Sequence, residues 1–205
     1  MIAIIDYGVG NLRSVEKALQ FIGSQAEITS DVEKVRCADA VILPGVGAYS
    51  DAMDNLERYA MVDVVKETVK QNKPFLGICL GMQLLFDYSE EGGKLVQGLG
   101  LFEGAIKGLP QGLGLKVPHM GWNSLTMSKS PLFKGLPENP YVYFVHSFYL
   151  EAKDKALVAA TCDYGITIDA AIGSGKVFAT QFHPEKSGST GLMILRNWTE
   201  MAGLR

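Results

Sequence analysis

Lys73-Pro74-Phe75-Leu76-Gly77-Ile78-Cys79-Leu80-Gly81-Met82-Gln83-Leu84-Leu85-Phe86 joins two apolar patterns at a single cysteine. Phe75 to Ile78 is an apolar run of strand length, and Leu80 to Phe86 has the apolar spacing of a buried helix. Cys79 stands where they meet, with Gly77 and Gly81 on either side. A strand turning sharply into a helix with a nucleophilic side chain at the corner is a nucleophile elbow. The corner residue takes strained torsions, and the adjoining chain comes so close that side chains at Gly77 and Gly81 would collide with it. The turn also sets Cys79 at a helix N-terminus, where unpaired N–H groups and the positive end of the dipole favour a thiolate. A solitary cysteine is more often a small buried hydrophobe. The flanking glycines at a strand-to-helix junction favour the reactive role.

Upstream of the elbow, strands and helices alternate. Ile2 to Ile5 reads as a buried strand, followed by the turn Asp6-Tyr7-Gly8-Val9-Gly10-Asn11 and a helix whose apolar positions are Leu12, Val15, Leu19 and Ile22. A three-glycine dinucleotide fingerprint fails here, because Arg13 stands where the third glycine belongs. Gln25 to Thr29 is a second strand, and Ser30-Asp31 caps a brief helix through Val35. Ala40 to Leu43 is a third apolar run that stops at Pro44 and opens into Gly45-Val46-Gly47. About Tyr49 to Val69 reads as helix with a break near Tyr59. The alternation implies an α/β fold: a mostly parallel central sheet, helices on both faces, and ligands at the carboxyl ends of the strands.

Downstream, Glu90-Glu91-Gly92-Gly93-Lys94 reads as a solvated loop, and Gly98 to Gly114 is dense in glycine. Strand-like segments at Ser124 to Met127, Tyr141 to Leu150, Ala156 to Cys162, Thr167 to Ile172 and Val177 to Gln181 suggest an antiparallel extension of the sheet. Gly188 to Met201 closes as a helix, with Leu192, Leu195 and Trp198 on its packing face. No repeat, low-complexity tract or linker divides the chain, so residues 1–205 read as one domain.

Composition narrows the function classes. The 205 residues carry a net charge of −3 with no long Lys/Arg cluster, which argues against a nucleic-acid partner. Cys37, Cys79 and Cys162 are too scattered for a disulfide framework and form no CxxC pair, so a reducing, cytoplasmic compartment is expected, with Cys37 and Cys162 as inert packing residues. The short apolar N-terminus lacks a basic n-region, and no stretch reaches bilayer-spanning length, so no membrane partner is expected. Among His119, His146 and His183 no two share ligand spacing, so neither a metal nor a cofactor is expected.

A thiolate nucleophile needs a base and a group to orient that base. His183, in Gln181-Phe182-His183-Pro184-Glu185, directly follows an apolar strand, where a catalytic residue at a strand end belongs. Pro184 biases His183 toward extended backbone, so period-two spacing would turn His183 and Glu185 to one side and let the carboxylate hold the imidazole. His119 reads as a loop residue and His146 as a strand residue. For the oxyanion, the candidates are the backbone N–H of Leu80 and the loop Pro44-Gly45-Val46-Gly47, with Val46 and Gly47 turned toward the same point. Gln83 lies one helical turn after Cys79 and so faces the same pocket.

Taken together, Gly77 to Gln83, Pro44 to Gly47 before it and His183-Pro184-Glu185 after it resemble the triad, or class I, glutamine amidotransferases, over nearly the whole chain. The resemblance implies Cys79 as nucleophile, His183 as base and acid, Glu185 as its orienter, and a glutamyl thioester releasing ammonia. It also implies a glutamine pocket made by Gly47, Gln83, His146, Ser147 and Phe148. Three further motifs, Asp6 to Val15, His119 to Asn123 and Tyr143 to Tyr149, are similar to those of the glutaminase subunits of imidazole glycerol phosphate synthases. That likeness implies a (β/α)8-barrel cyclase as heterodimer partner and glutamine as the only substrate bound by this chain. Asn11, Trp122 and Lys186 are the implied interface residues, Trp122 being read as an anchor after a glycine in a polar loop. Two alternatives remain open: a glutaminase serving an anthranilate, guanylate or pyridoxal phosphate synthase, and a non-catalytic interaction subunit of the same fold.

Overall fold

The computed structural model describes residues 1–112 and 114–204. The first half runs β1 (Ile2–Ile5), α1 (Leu12–Phe21), β2 (Ala26–Thr29), α2 (Val32–Cys37), β3 (Ala40–Gly45), α3 (Tyr49–Arg58), α4 (Met61–Lys70), β4 (Phe75–Cys79) and α5 (Leu80–Gln83). The second half is richer in strands: β5 (Phe86–Ser89), β6 (Val96–Gln97), β7 (Phe102–Gly108), β8 (His119–Ser124), β9 (Thr126–Met127), β10 (Tyr141–His146), β11 (Phe148–Ala152), β12 (Val158–Asp163), β13 (Thr167–Ser174) and β14 (Val177–Thr180). Helix α6 (Gly188–Met201) follows.

Eight strands form the central sheet in the order β2-β1-β3-β4-β14-β13-β12-β9. The pairs from β2 to β14 are parallel and those from β14 to β9 antiparallel, so the sheet has the expected parallel core and antiparallel extension, but β14, expected in the extension, joins the core by pairing parallel with β4. The apolar runs alternate between two cores. Ala3, Ile5, Val41, Leu43 and Phe75 face α3 and α4, whereas Ile2, Ile4, Ala40, Ile42, Leu76 and Ile78 face α1 and α6. Strands buried on both faces must be apolar throughout, which is why these runs lack polar alternation.

Several boundaries differ from expectation. The helix break near Tyr59 is real: Ala60 takes the left-handed region at φ 56° and separates α3 from α4. The helix expected from Leu80 to Phe86 lasts one turn. Leu84 and Leu85 accept from Leu99, Leu101 and Phe102 as the chain leaves the helix, and Phe86 starts β5. Tyr141 to Leu150 is two strands in two sheets, β10 pairing with β8 and β11 with β7. His119 and Trp122 lie on β8 and not in a loop. Cys37, expected as an inert packing residue, is exposed, while Cys162 is buried and its thiol is pushed up to about 12 by burial and by Asp163.

Candidate active site

The parallel register aligns three strand ends. Gly45 pairs with Cys79 at the ends of β3 and β4, and Thr180 pairs with Ile78, so Gln181 to His183 emerge beside the elbow. This is the carboxyl end of the sheet, where such folds gather ligands.

Cys79 is the corner residue, with φ 55° and ψ −111°. These torsions are strained for a residue with a Cβ and persist only because the surroundings enforce them. The close approach is measurable: a Cβ on Gly81 would lie 1.8 Å from the Leu43 carbonyl oxygen, and one on Gly77 would lie 2.8 Å from the Gly81 carbonyl oxygen. Gly45 is equally confined, 2.7 Å from the Tyr7 hydroxyl by the same measure. That hydroxyl donates to the Pro44 carbonyl at 2.9 Å and so clamps the start of the loop. Burial, with Cys79 nearby, raises the Tyr7 pKa further, so the phenol stays protonated as a donor. Gly47 at the far end has φ 98°, and a Cβ there would meet nothing within 4 Å, leaving room for that peptide to turn. Because α5 is a single turn, its dipole is weak.

His183 Nδ1 and Glu185 Oε1 are 2.9 Å apart, both side chains 1% exposed. The route to this contact differs from period-two extension: His183 is extended at φ −98°, but Pro184–Lys186 form a 3-10 turn that folds Glu185 back under the ring. Ser187 Oγ donates to the His183 carbonyl at 2.6 Å and accepts from Tyr143 N at 2.9 Å, while His183 N donates to the Tyr143 carbonyl at 3.0 Å. The turn is thereby riveted to β10. Burial pushes the His183 pKa down, but the contacts with Cys79 and Glu185 outweigh it and raise the pKa to about 9. Nε2 has no hydrogen bond among the described residues and remains available for proton transfer. Asn11, expected at an interface, is half-buried and donates from Nδ2 to Glu185 Oε1 at 3.4 Å, beside the histidine's own bond.

A cavity of about 190 Å³ opens at this point, lined by Val46, Gly47, Cys79, Leu80, Gln83, Glu91 and Val145 to Phe148. Every expected pocket and oxyanion residue therefore lies on it. As the first residue of α5, Leu80 has an N–H with no partner inside the helix. Gln83 is 5% exposed, turned into the protein and not to solvent. His146 lines the cavity with both ring nitrogens engaged, Nδ1 with the Phe148 carbonyl at 2.9 Å and Nε2 with His119 Nδ1 at 3.0 Å. Glu91, assigned by sequence to a solvated loop, reaches the cavity and accepts from Tyr49 N at 2.7 Å. Trp122 and Lys186 stay exposed, Trp122 at 55%. Among the described residues no group of three or more His, Cys, Asp or Glu gathers as a metal site, and no helix is long and apolar enough to cross a membrane.

A strained cysteine at an elbow, an amino-acid-sized cavity on whose wall it lies and a buried His–Glu pair beside it are the parts that a thiol amidase site needs. The family model described as "Glutamine amidotransferase class-I" matches residues 3–201, and the chain belongs to that family. More particularly, the imidazole glycerol phosphate synthase subunit HisH of Caldanaerobacter subterraneus subsp. tengcongensis is 54% identical over 202 residues, 98% of each chain. The subunit of the same name from Thermosynechococcus vestitus is 50% identical over 203 residues, covering 98% of this chain and 96% of that one. Among solved structures, a glutamine amidotransferase superposes with a TM-score of 0.76 at 21% identity, covering 99% of this chain and 100% of that one. PurLQS from Thermotoga maritima superposes with a TM-score of 0.71 at 19% identity, covering 97% of each chain. At those identities the superpositions speak for the fold alone.

Proposed function

We infer that this chain is the glutaminase subunit of an imidazole glycerol phosphate synthase, hydrolysing glutamine and passing ammonia to a cyclase in histidine biosynthesis. The observation that carries the chemistry is the strained Cys79 on the cavity wall with the buried His183–Glu185 pair beside it. Relatives named as HisH subunits, matched end to end, carry the choice of synthase.

In the mechanism we propose, the Cys79 thiolate adds to the side-chain amide carbon of glutamine. The N–H groups of Leu80 and of the Val46–Gly47 segment take the oxyanion. His183, held as imidazolium by Glu185, gives its Nε2 proton to the departing nitrogen, so ammonia leaves and a glutamyl thioester remains. Water then attacks the thioester, His183 accepts its proton, and the C–S bond breaks with its electron pair returning to sulfur. Glutamate and the resting enzyme result. The Glu91 carboxylate faces the cavity with a sign that suits the substrate's α-ammonium, and Gln83 with the Ser147–Phe148 backbone suits its polar groups.

The sign of the His183 shift fixes a pH dependence. A pKa raised above 6.5 means that the folded state gains stability in full below about 6.5 and loses it as pH rises through about 9. The imidazolium that protonates the leaving group is lost over the same interval, so glutaminase activity falls on its alkaline limb there. Glu185→Gln keeps an acceptor for Nδ1 but removes the charge, so the limb moves to lower pH and kcat falls by up to about 10⁴-fold. A profile unchanged from wild type would remove Glu185 from the triad.

The partner surface is argued from β8 and β10. Their register puts Met120 opposite Val145 and Trp122 opposite Tyr143, on the face that leaves Met120 63% and Trp122 55% exposed, while Phe144 and His146 turn inward. Val145 also lines the cavity, so this apolar face is continuous with the reaction site. We propose that a (β/α)8-barrel cyclase docks here, with Lys186 at its margin, receiving ammonia before water can protonate it. Residues 1–205 then act as one amidotransferase domain in the cytoplasm. Glutaminase assays with purified candidate partners test the reading. Low activity of the isolated chain, stimulated by a barrel cyclase loaded with its ribotide substrate, is expected. Stimulation by a chorismate- or nucleotide-processing partner, or high turnover by the free subunit, would overturn it.

A further inference from the structure

One buried amide touches the cysteine sulfur without a part in the mechanism above. Gln181 is 0% exposed, and its backbone N–H is tied to the Ala170 carbonyl at 2.8 Å. Its Nε2 lies 3.6 Å from Cys79 Sγ, and its Oε1 accepts from Gln83 Nε2 at 2.9 Å. Which end of the amide meets the sulfur follows from donor chemistry. The Phe148 carbonyl lies 3.0 Å from Gln83 Nε2 and can only accept, so Gln83 presents its NH₂ there. The same NH₂ meets Gln181, which must answer with oxygen, leaving the Gln181 NH₂ toward sulfur. The Phe148 carbonyl also fixes its histidine neighbour. His146 Nδ1 must carry a proton to bond it, so His146 Nε2 accepts from His119 Nδ1, and His119 Nε2 accepts from Asn123 Nδ2 at 3.4 Å. Burial pushes both imidazoles down to about 4, which keeps them neutral and preserves this order near neutral pH.

We propose that Gln181 is a further catalytic residue, whose Nε2–H stabilises the Cys79 sulfur as thiolate and again as leaving group when the thioester is hydrolysed. A carboxamide donates without transferring its proton, so it serves both half-reactions unchanged. His183, by contrast, must give and recover a proton. In thioester hydrolysis the electron pair of the breaking C–S bond returns to sulfur, where the waiting N–H receives the growing charge. Hydrogen bonds to charged groups are roughly twice as strong as neutral ones, so the effect belongs to the thiolate more than to the thiol. Gln83 acts at one remove as the positioning residue that keeps the donor end of Gln181 on sulfur.

The assignment rests on Cys79 being the nucleophile, and the experiment separates the two. In the complete chain with its cyclase partner, Gln181→Leu is measured for kcat, KM and the iodoacetamide alkylation rate of Cys79, followed by peptide mass spectrometry. The exposed Cys37 serves as the internal reference for alkylation. Expected are falls of about 10- to 100-fold in kcat and about 10-fold in Cys79 alkylation, KM changing less than about threefold and Cys37 unaffected. Gln181→Glu keeps the acceptor toward Gln83 but removes the donor, so it slows Cys79 alkylation at least as much and serves if the leucine variant does not fold. Alkylation and kcat within about twofold of wild type, or a loss confined to KM, would overturn the role of Gln181. If Cys79→Ala also retained hydrolysis, the nucleophile assignment itself would fall.

Discussion

Cys79→Ala leaves glutamine hydrolysis at or below about 10⁻⁴ of the wild-type rate while the chain still folds and binds its partner. The magnitude follows from the mechanism: without sulfur no thioester forms, and the oxyanion donors and the pocket retain only the residual acceleration they give to water attack. Folding survives because alanine keeps the buried Cβ and only the contacts of one sulfur atom are lost. Besides its contact with His183, that atom makes a 4.0 Å approach to the Val145 carbonyl and the 3.6 Å bond from Gln181, these two together worth on the order of 1 kcal/mol. The corner torsion is unchanged, since alanine meets the same φ of 55° that cysteine does. The proposed docking face is made by Met120, Trp122, Tyr143 and Val145, none of which the substitution alters, so complex formation persists. Ammonia release measures the rate, and acid quench followed by intact-mass analysis looks for a glutamyl adduct in wild type only. Hydrolysis above about 1% of wild type would remove Cys79 as nucleophile. An inactive wild-type complex would instead favour a non-catalytic subunit.

The parts of this fold written in local pattern were legible. Ile2–Ile5, Ala40–Gly45 and Phe75–Cys79 are apolar on both faces because both faces are covered, and Gly188–Met201 starts and stops where its pattern does. The four-stranded sheet β11-β7-β5-β6 was not legible. Its β5 opens on Phe86, the last residue of the elbow's apolar run, and that run, buried from Leu80 to Phe86, has no period to separate helix from strand. Gly104 sits within β7 at φ 156°, pressed against the Glu151 carbonyl, so a glycine-dense stretch with no strand pattern of its own holds a strand in close contact. At the site, the nucleophile and the His–Glu pair carry signatures within a few residues of sequence. Gln181 and Asn11 do not, because their partners, Gln83 and Glu185, are 98 and 174 residues away. The one available signal for Gln181 was an uncharged polar residue ending an otherwise apolar strand. Glu91 was hidden by its glycine-rich setting, which has the composition of a solvated loop whether or not its side chain points inward.

Gly81→Ala gives the largest expected loss of stability, because the conflict is with main chain. The added Cβ would lie 1.8 Å from the Leu43 carbonyl oxygen, whereas real Cβ contacts essentially never fall under 3.0 Å, so α5 and β3 must separate by about an ångström. Leu43 belongs to β3, held between β1 and β4, and pairs with Gly77 in the register that also sets Gly45 beside Cys79. A side chain could rotate away; a carbonyl in the middle of a sheet cannot. Overpacking commonly costs 1–3 kcal/mol, and a backbone clash belongs at or above the top of that range, about 3 kcal/mol, which lowers Tm by about 6–12 °C for a chain of this size. Catalysis suffers separately, since the displaced turn carries both the sulfur and the Leu80 N–H, and a misplacement of about 1 Å costs about 10²-fold. Gly93→Ala is the internal comparison: its φ of +73° imposes torsional strain, but no atom lies within 4 Å of the new methyl. It should therefore cost only about 1–2 kcal/mol and leave the elbow in place. Thermal melts and kcat of the two variants distinguish the causes. If Gly81→Ala melts within about 2 °C of wild type, less than the shift expected for even 1 kcal/mol, and keeps its turnover, the tight seating of the elbow against β3 is not what holds Cys79 in its strained conformation.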